Sequence, residues 1–141
     1  MGRSKKKKFS QSNPDENKLI RLSEPREGTI RYRFSIFDHG LVLPDTGNAN
    51  ARDAICVNTI MSALKSYEQN TWEETIRNRH HDHFIKKDRL APFALERLTE
   101  INLDDAESFF RLRCNGSQRL WGIRKDDTFY VLWWDPYHQI C

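Results

Sequence analysis

The apolar positions of this chain recur at two different periods, and the switches between them outline a fold. From Gly28 to Asp38 they alternate. Ile30, Tyr32, Phe34 and Ile36 fall on one side, and Arg31, Arg33, Ser35 and Phe37 on the other. Period two predicts a strand with one apolar face. Asp38-His39-Gly40 ends it, and a loop runs to Asn50. From Ala51 to Gln69 the period becomes helical, with Ala54, Val57, Ile60, Met61, Leu64 and Tyr67 on one stripe. Asn50 is the candidate N-cap, and Asp53 suits the first turn. Thr71-Trp72-Glu73-Glu74 has capping-box spacing and opens a second helix to about Asn78, with Trp72 and Ile76 on its buried side. Leu90 to Ile101 predicts a third helical piece. Phe93, Leu95, Leu98 and Ile101 form its apolar side, and Pro92 sits in the first turn.

The last part of the chain returns to period two three times. Ser108 to Cys114, Gln118 to Arg124 and Thr128 to Trp134 read as strands. Asn115-Gly116-Ser117 is turn chemistry between the first two, because Asn and Gly tolerate positive φ. Lys125-Asp126-Asp127 is a polar break, and Asp135-Pro136 stops the last strand. Alternation puts Phe110, Leu112 and Cys114 opposite Arg111 and Arg113. It sets Leu120 and Gly122 against Arg119, Trp121 and Ile123, and Phe129, Val131 and Trp133 against Tyr130, Leu132 and Trp134. One sheet face is thus apolar, while the other mixes arginines with aromatic rings. Two readings of that second face stand. It is a nucleic-acid surface working by charge and stacking, or an ordinary solvated face with snorkelling arginines.

The order is one strand, two to three helices, then three strands. It predicts an α+β fold of two layers. A four-stranded, mainly antiparallel sheet joins the N-terminal strand to the C-terminal meander, with the helices packed on one face and the other face open. Residues 1–17 carry Arg3 and Lys5 to Lys8 followed by polar residues, which predicts a disordered basic arm. Residues 18–141 are expected to form one domain.

Charge and cysteine content change little in this picture. The net charge is +3, and the positive charge is concentrated in the arm. No apolar h-region follows it and no apolar run reaches membrane length, so the expectation is a cytoplasmic protein without a membrane contact. The three cysteines are Cys56, Cys114 and Cys141. Their odd count and lack of CxxC spacing argue against a disulfide framework. Cys56 and Cys114 lie in apolar patterns, and Cys141 is expected as an exposed thiol. Arg79-His80-His81-Asp82-His83 invites a metal reading, but adjacent residues on a helix do not converge on one centre. A polar helix end is the expectation there, with no metal and no cofactor.

Phe110-Arg111-Leu112, Arg119-Leu120-Trp121-Gly122-Ile123, Phe129-Tyr130-Val131-Leu132 and Asp135-Pro136-Tyr137-His138, in this order of elements, resemble the RelE/ParE/HigB-like toxins of bacterial toxin–antitoxin systems. The resemblance implies a metal-independent endoribonuclease that cleaves messenger RNA, commonly on the ribosome, under the control of an antitoxin protein. It implies that an RNA 2′-hydroxyl attacks its neighbouring phosphate with help from a base, an acid and a cation. His138 is the first candidate acid or base, Tyr137 its assistant, and Arg119 a phosphate clamp. Arg111 and Arg113 are further clamps, extended by Arg124, Arg31 and Arg33. The competing readings are a strand exit in which Tyr137 and His138 merely pack, and a non-catalytic binding module from a phage or mobile element. A third is an inhibitor of another enzyme anchored by exposed tryptophans.

Overall fold

The computed structural model describes residues 24–44, 57–78 and 83–141. The basic arm, the start of the helix expected from Ala51, Cys56, His80 and His81 lie outside these residues. The described elements are β1 (Arg31–Arg33), α1 (Val57–Tyr67), α2 (Trp72–Asn78), β2 (His83–Lys86), α3 (Pro92–Glu100), β3 (Ser108–Asn115), β4 (Gln118–Lys125) and β5 (Thr128–Asp135). The class is α+β, as the order of periods implies. The sheet, however, has five strands rather than four, in the order β1-β5-β4-β3-β2. β1 runs parallel to β5, and the remaining pairs are antiparallel.

The three-stranded meander forms where the alternation puts it. Two-residue loops close both hairpins, with Asn115 opposite Gln118 and Lys125 opposite Thr128. Gly116 takes φ 52° in the first loop and Asp126 takes φ 56° in the second. Positive φ lets so short a loop follow the strand twist. Aspartate tolerates that conformation better than most side chains do.

Two features overturn the expected faces. A bulge in β5 is the first. Trp121 pairs with Trp133 and Gly122 with Val131, leaving Leu132 as the extra residue. One added residue reverses the parity beyond it. Phe129, Val131 and Trp134 therefore share one face, while Leu132 and Trp133 both turn to the other. Strict alternation had grouped Trp133 with Phe129 and Val131.

The second is that helices cover both faces. On the upper face α1 and α2 bury Ala63, Leu64, Tyr67 and Trp72 against Phe110, Leu112, Leu120 and Phe129. On the lower face Ala94 and Leu98 of α3, with Leu43 and Ile140, pack on Phe109, Trp121, Leu132 and Trp133. The sheet is the middle of three layers, and the open basic and aromatic face predicted from alternation is largely closed. Trp121 and Trp133 are both completely buried and Trp134 nearly so, which removes them as exposed anchors.

Local propensity predicted some elements and not others. Thr71 and Glu74 exchange the two reciprocal bonds of a capping box. The Thr71 N–H donates to Glu74 Oε1 at 2.9 Å, and the Glu74 N–H donates to Thr71 Oγ1 at 3.1 Å. A hydrogen bond from Arg26, helped by the Thr71 N–H, holds the Glu74 carboxyl down at about 2. Thr71→Ala removes one half of the box and is expected to cost about 1 kcal/mol, read from thermal melts of the two proteins. Ile76, by contrast, is exposed, so α2 buries Trp72 without it. On α1 the buried stripe is Ala63, Leu64 and Tyr67, while Val57 and Met61 face outward.

The first strand is shorter than its pattern. A turn in which the Phe37 N–H donates to the Phe34 carbonyl ends it early. Phe34 is left exposed, and Ile36 and Phe37 go to opposite cores. His83 begins an edge strand rather than ending a helix, because its backbone pairs with Arg111. Ile85 is buried and Phe84 exposed along that strand, the alternation of an edge. Cys114 packs on the upper core as expected. Cys141 is half-buried against the lower core rather than exposed.

Candidate functional site

Arg111 and Arg113 of β3 and Arg119 of β4 gather at one end of the lower face. Arg111 follows Phe109 at a two-residue interval and pairs with Trp121, so all three share that face. Arg113 pairs with Arg119, and Arg119 pairs on its other side with Asp135. A row of Arg113, Arg119 and Asp135 thus crosses three strands. Two like charges directly opposite each other oppose folding.

Burial distinguishes these arginines from a solvated fringe. Arg111 is 8% exposed and Arg119 is 7% exposed. Arg119 Nη1 donates to the carbonyls of Gly116 and Gln118 at 2.6 and 3.0 Å, which turns its guanidinium toward the β3–β4 loop. Arg111 lies over the Trp121 ring, 5.6 Å from its centroid. Arg113 is half-buried, and its carbonyl accepts a 2.7 Å bond from the Tyr67 hydroxyl of α1.

The C-terminal segment folds back over the same end. The Asp135 carboxylate accepts from the N–H groups of Gln139 and Ile140 at 2.9 and 3.0 Å. The Ile140 carbonyl accepts from the Ala91 N–H, the cap of α3, at 2.7 Å. Ser117 Oγ of the β3–β4 loop donates to the Pro136 carbonyl at 3.0 Å. The residues next to Pro136 are Tyr137, which is exposed, and His138, which is half-buried with φ 59°. A left-handed histidine is uncommon, and such backbone strain concentrates at functional sites.

The other sequence-predicted arginines sit elsewhere. Arg31 and Arg33 are exposed on β1 beside Thr128 and Tyr130. Five to seven strand residues separate these positions from Asp135, which is roughly 15–20 Å along the sheet. Arg124 lies over the Trp72 ring at 4.5 Å, and its Nε donates to the Asp126 carbonyl. These three do not join Arg111, Arg113 and Arg119.

Residues passed over in the sequence adjoin this end from above. A polar cleft of about 400 Å³ between α1 and the end of β3 is lined by Asn58, Ser62, Ser66, Arg113 and Asn115. Asn58, Ser62 and Ser66 recur at four-residue intervals, a polar stripe legible in the sequence. Among the described residues no three His, Cys, Asp or Glu side chains gather as metal ligands. No helix among them is long and apolar enough to cross a membrane.

Fold and site together define an α+β protein with an arginine-bearing hairpin locked to a C-terminal turn. The chain belongs to the family of uncharacterised protein UU032, whose model matches residues 50–141. That span holds both hairpins and the arginine cluster, whereas β1, which completes the sheet, precedes it. No curated protein and no solved structure matches the chain.

Proposed function

We propose that the protein is a metal-independent ribonuclease that cleaves messenger RNA and is restrained by a partner protein covering its arginines. The observation that carries this reading is the Ser117 Oγ bond to the Pro136 carbonyl. It ties the segment bearing Tyr137 and His138 to the hairpin bearing Arg113 and Arg119. In this reading the guanidinium groups hold the scissile phosphate and stabilise the charge that builds on it. His138 takes the 2′ proton or returns one to the leaving 5′ oxygen. Exposed Tyr137 stacks on a neighbouring base.

The test is RNA integrity after brief induction of wild type and of His138→Asn, with soluble protein confirmed for both. Asparagine tolerates the left-handed backbone at this position, so the variant removes the imidazole with little added strain. Loss of cleavage by about a hundredfold or more in the variant is the expected result. Intact message with the wild type rejects the proposal.

A further inference from the structure

β1 is one edge of the sheet, with β5 on its inner side. The Arg31 N–H donates inward to the Asp127 carbonyl at 2.9 Å. Successive residues of a strand send their backbone groups to opposite sides, so Ile30 and Tyr32 face outward. The turn between α1 and α2 covers Ile30, whose N–H donates to the Asn70 carbonyl at 3.3 Å. That cover stops before Tyr32, whose N–H and C=O meet no partner among the described residues.

An apolar groove of about 680 Å³ runs beside this edge, between β1 and α1. Tyr32, Phe34, Met61 and Leu64 line it, and Lys65 and Glu68 add one charge of each sign. Phe34 is 52% exposed and Met61 56%, so this apolar wall stands in water. Large apolar side chains exposed together mark an interaction surface. The two faces of β1 differ. Tyr32 packs on the upper core, while Arg31 and Arg33, of the other parity, are exposed. Among the described residues no ion pair engages either arginine. Glu24 shares a neighbouring cleft with Arg31, and two arginines against one glutamate leave the edge positive.

Charge decides which occupant suits such an edge. A second copy, added antiparallel about a twofold axis at Tyr32, sets each Arg31 against the other copy's Arg33. Like charges directly opposite are destabilising. A strand with acidic side chains at those positions meets no such conflict.

We infer that β1 is the docking edge for an extended segment of a partner protein, with apolar residues at one parity and acidic residues at the other. The segment adds as a sixth strand. It exchanges backbone bonds with Tyr32, lays its apolar side chains over Phe34 and Met61, and sets its acidic ones beside Arg31 and Arg33. This surface lies apart from Arg111, Arg113 and Arg119 and does not rest on the ribonuclease reading.

The experiment titrates the full chain at neutral pH with three capped synthetic peptides. One alternates valine with glutamate, one alternates valine with lysine, and one has the first composition in blocks. The readouts are the dissociation constant, the Met61 methyl resonance and the hydrogen exchange of the Tyr32 amide. The alternating glutamate peptide is expected to shift the methyl saturably and to protect an amide that exchanges freely without it. The other two should bind about tenfold or more weaker. Phe34→Ser, at an exposed position, should weaken binding by a similar factor, and Arg31→Glu with Arg33→Glu should reverse the preference toward lysine. Equal binding of the three peptides, or none, overturns the inference, and that comparison needs no variant. A Tyr32 amide already protected in the free monomer shows the edge filled by the chain itself and overturns it too. A wild-type dimer that Phe34→Ser dissociates gives the edge to a second copy. An oligouridylate that shifts the Met61 methyl and displaces the peptide gives it to RNA, and either result overturns the assignment.

Discussion

Asp38→Ala is expected to lower stability by about 3 kcal/mol, a large part of what a small domain has in hand. The Asp38 carboxylate accepts from Arg97 Nη2 at 2.7 Å, Arg97 Nε at 2.8 Å, Trp133 Nε1 at 2.9 Å and the Gly40 N–H at 2.9 Å. Its side chain is 7% exposed. Alanine leaves a completely buried indole N–H without an acceptor and Arg97 with Glu100 alone. The cost of stranded donors exceeds the net worth of the bonds themselves. Asp38→Asn keeps an acceptor for Trp133 and loses the ion pair, so it should fall between wild type and alanine. Chemical denaturation of the three proteins at neutral pH ranks them, and indistinguishable midpoints would reject the assignment.

The same carboxylate makes a pH prediction of definite sign. Burial alone would raise its pKa, but hydrogen bonds from Arg97, Trp133 and the Gly40 N–H, with the Arg97 charge, hold it at about 2 against an ordinary 3.8. A folded-state value below the unfolded one stabilises the protein above about pH 4. That contribution drains away as the pH falls toward 2. Between these limits wild type should lose about 2 kcal/mol more than Asp38→Ala. Urea midpoints measured at pH 6, 4, 3 and 2 test this, and parallel curves for the two proteins would contradict it.

Gly122→Ala is expected to be comparably damaging, at about 3 kcal/mol or more, for a steric reason. A Cβ built at Gly122 would stand 2.3 Å from the Tyr130 carbonyl oxygen and 2.6 and 2.7 Å from the Phe129 ring. That oxygen belongs to the β5 backbone beside the bulge, and Phe129 is completely buried. Neither gives way without opening the β4–β5 ladder or the upper core. Gly116→Ala is the informative control. It meets nothing within 4 Å but has φ 52°, so backbone strain alone should cost about 1 kcal/mol. Equal melting temperatures for the two variants would show that the bulge yields. Both positions adjoin the β5 bulge: Gly122 pairs with Val131, and the Asp38 N–H donates to the carbonyl of the bulged Leu132 at 2.9 Å. Their effects should therefore not add in the double variant.

The bulge also explains why the tryptophans were misassigned from the alternation. Whether Trp133 or Trp134 faces the upper core depends on one inserted residue. Nothing in Thr128 to Trp134 marks it, because apolar side chains occupy both parities there. The site was legible to a similar degree. Arg111, Arg113 and Arg119 share a face because strand period and hairpin register are local properties. Their separation from Arg31, Arg33 and Arg124 is a matter of which strand lies beside which, and that is not local.

By itself the sequence determined the α+β class, the capping box at Thr71, the Pro92 helix and the three-stranded meander. Each follows from contacts within a few residues: side-chain period, a cap three positions away, a two-residue turn. Tertiary structure decided the rest. β1 lies parallel beside β5, a strand begins at His83, and α3 packs on the lower face rather than beside α1 and α2. Alternation says that a face must be covered without saying what will cover it. Here α3, Leu43 and Ile140 cover the lower face, and Arg111 and Arg119 at its end are buried, so an expected open surface is largely closed.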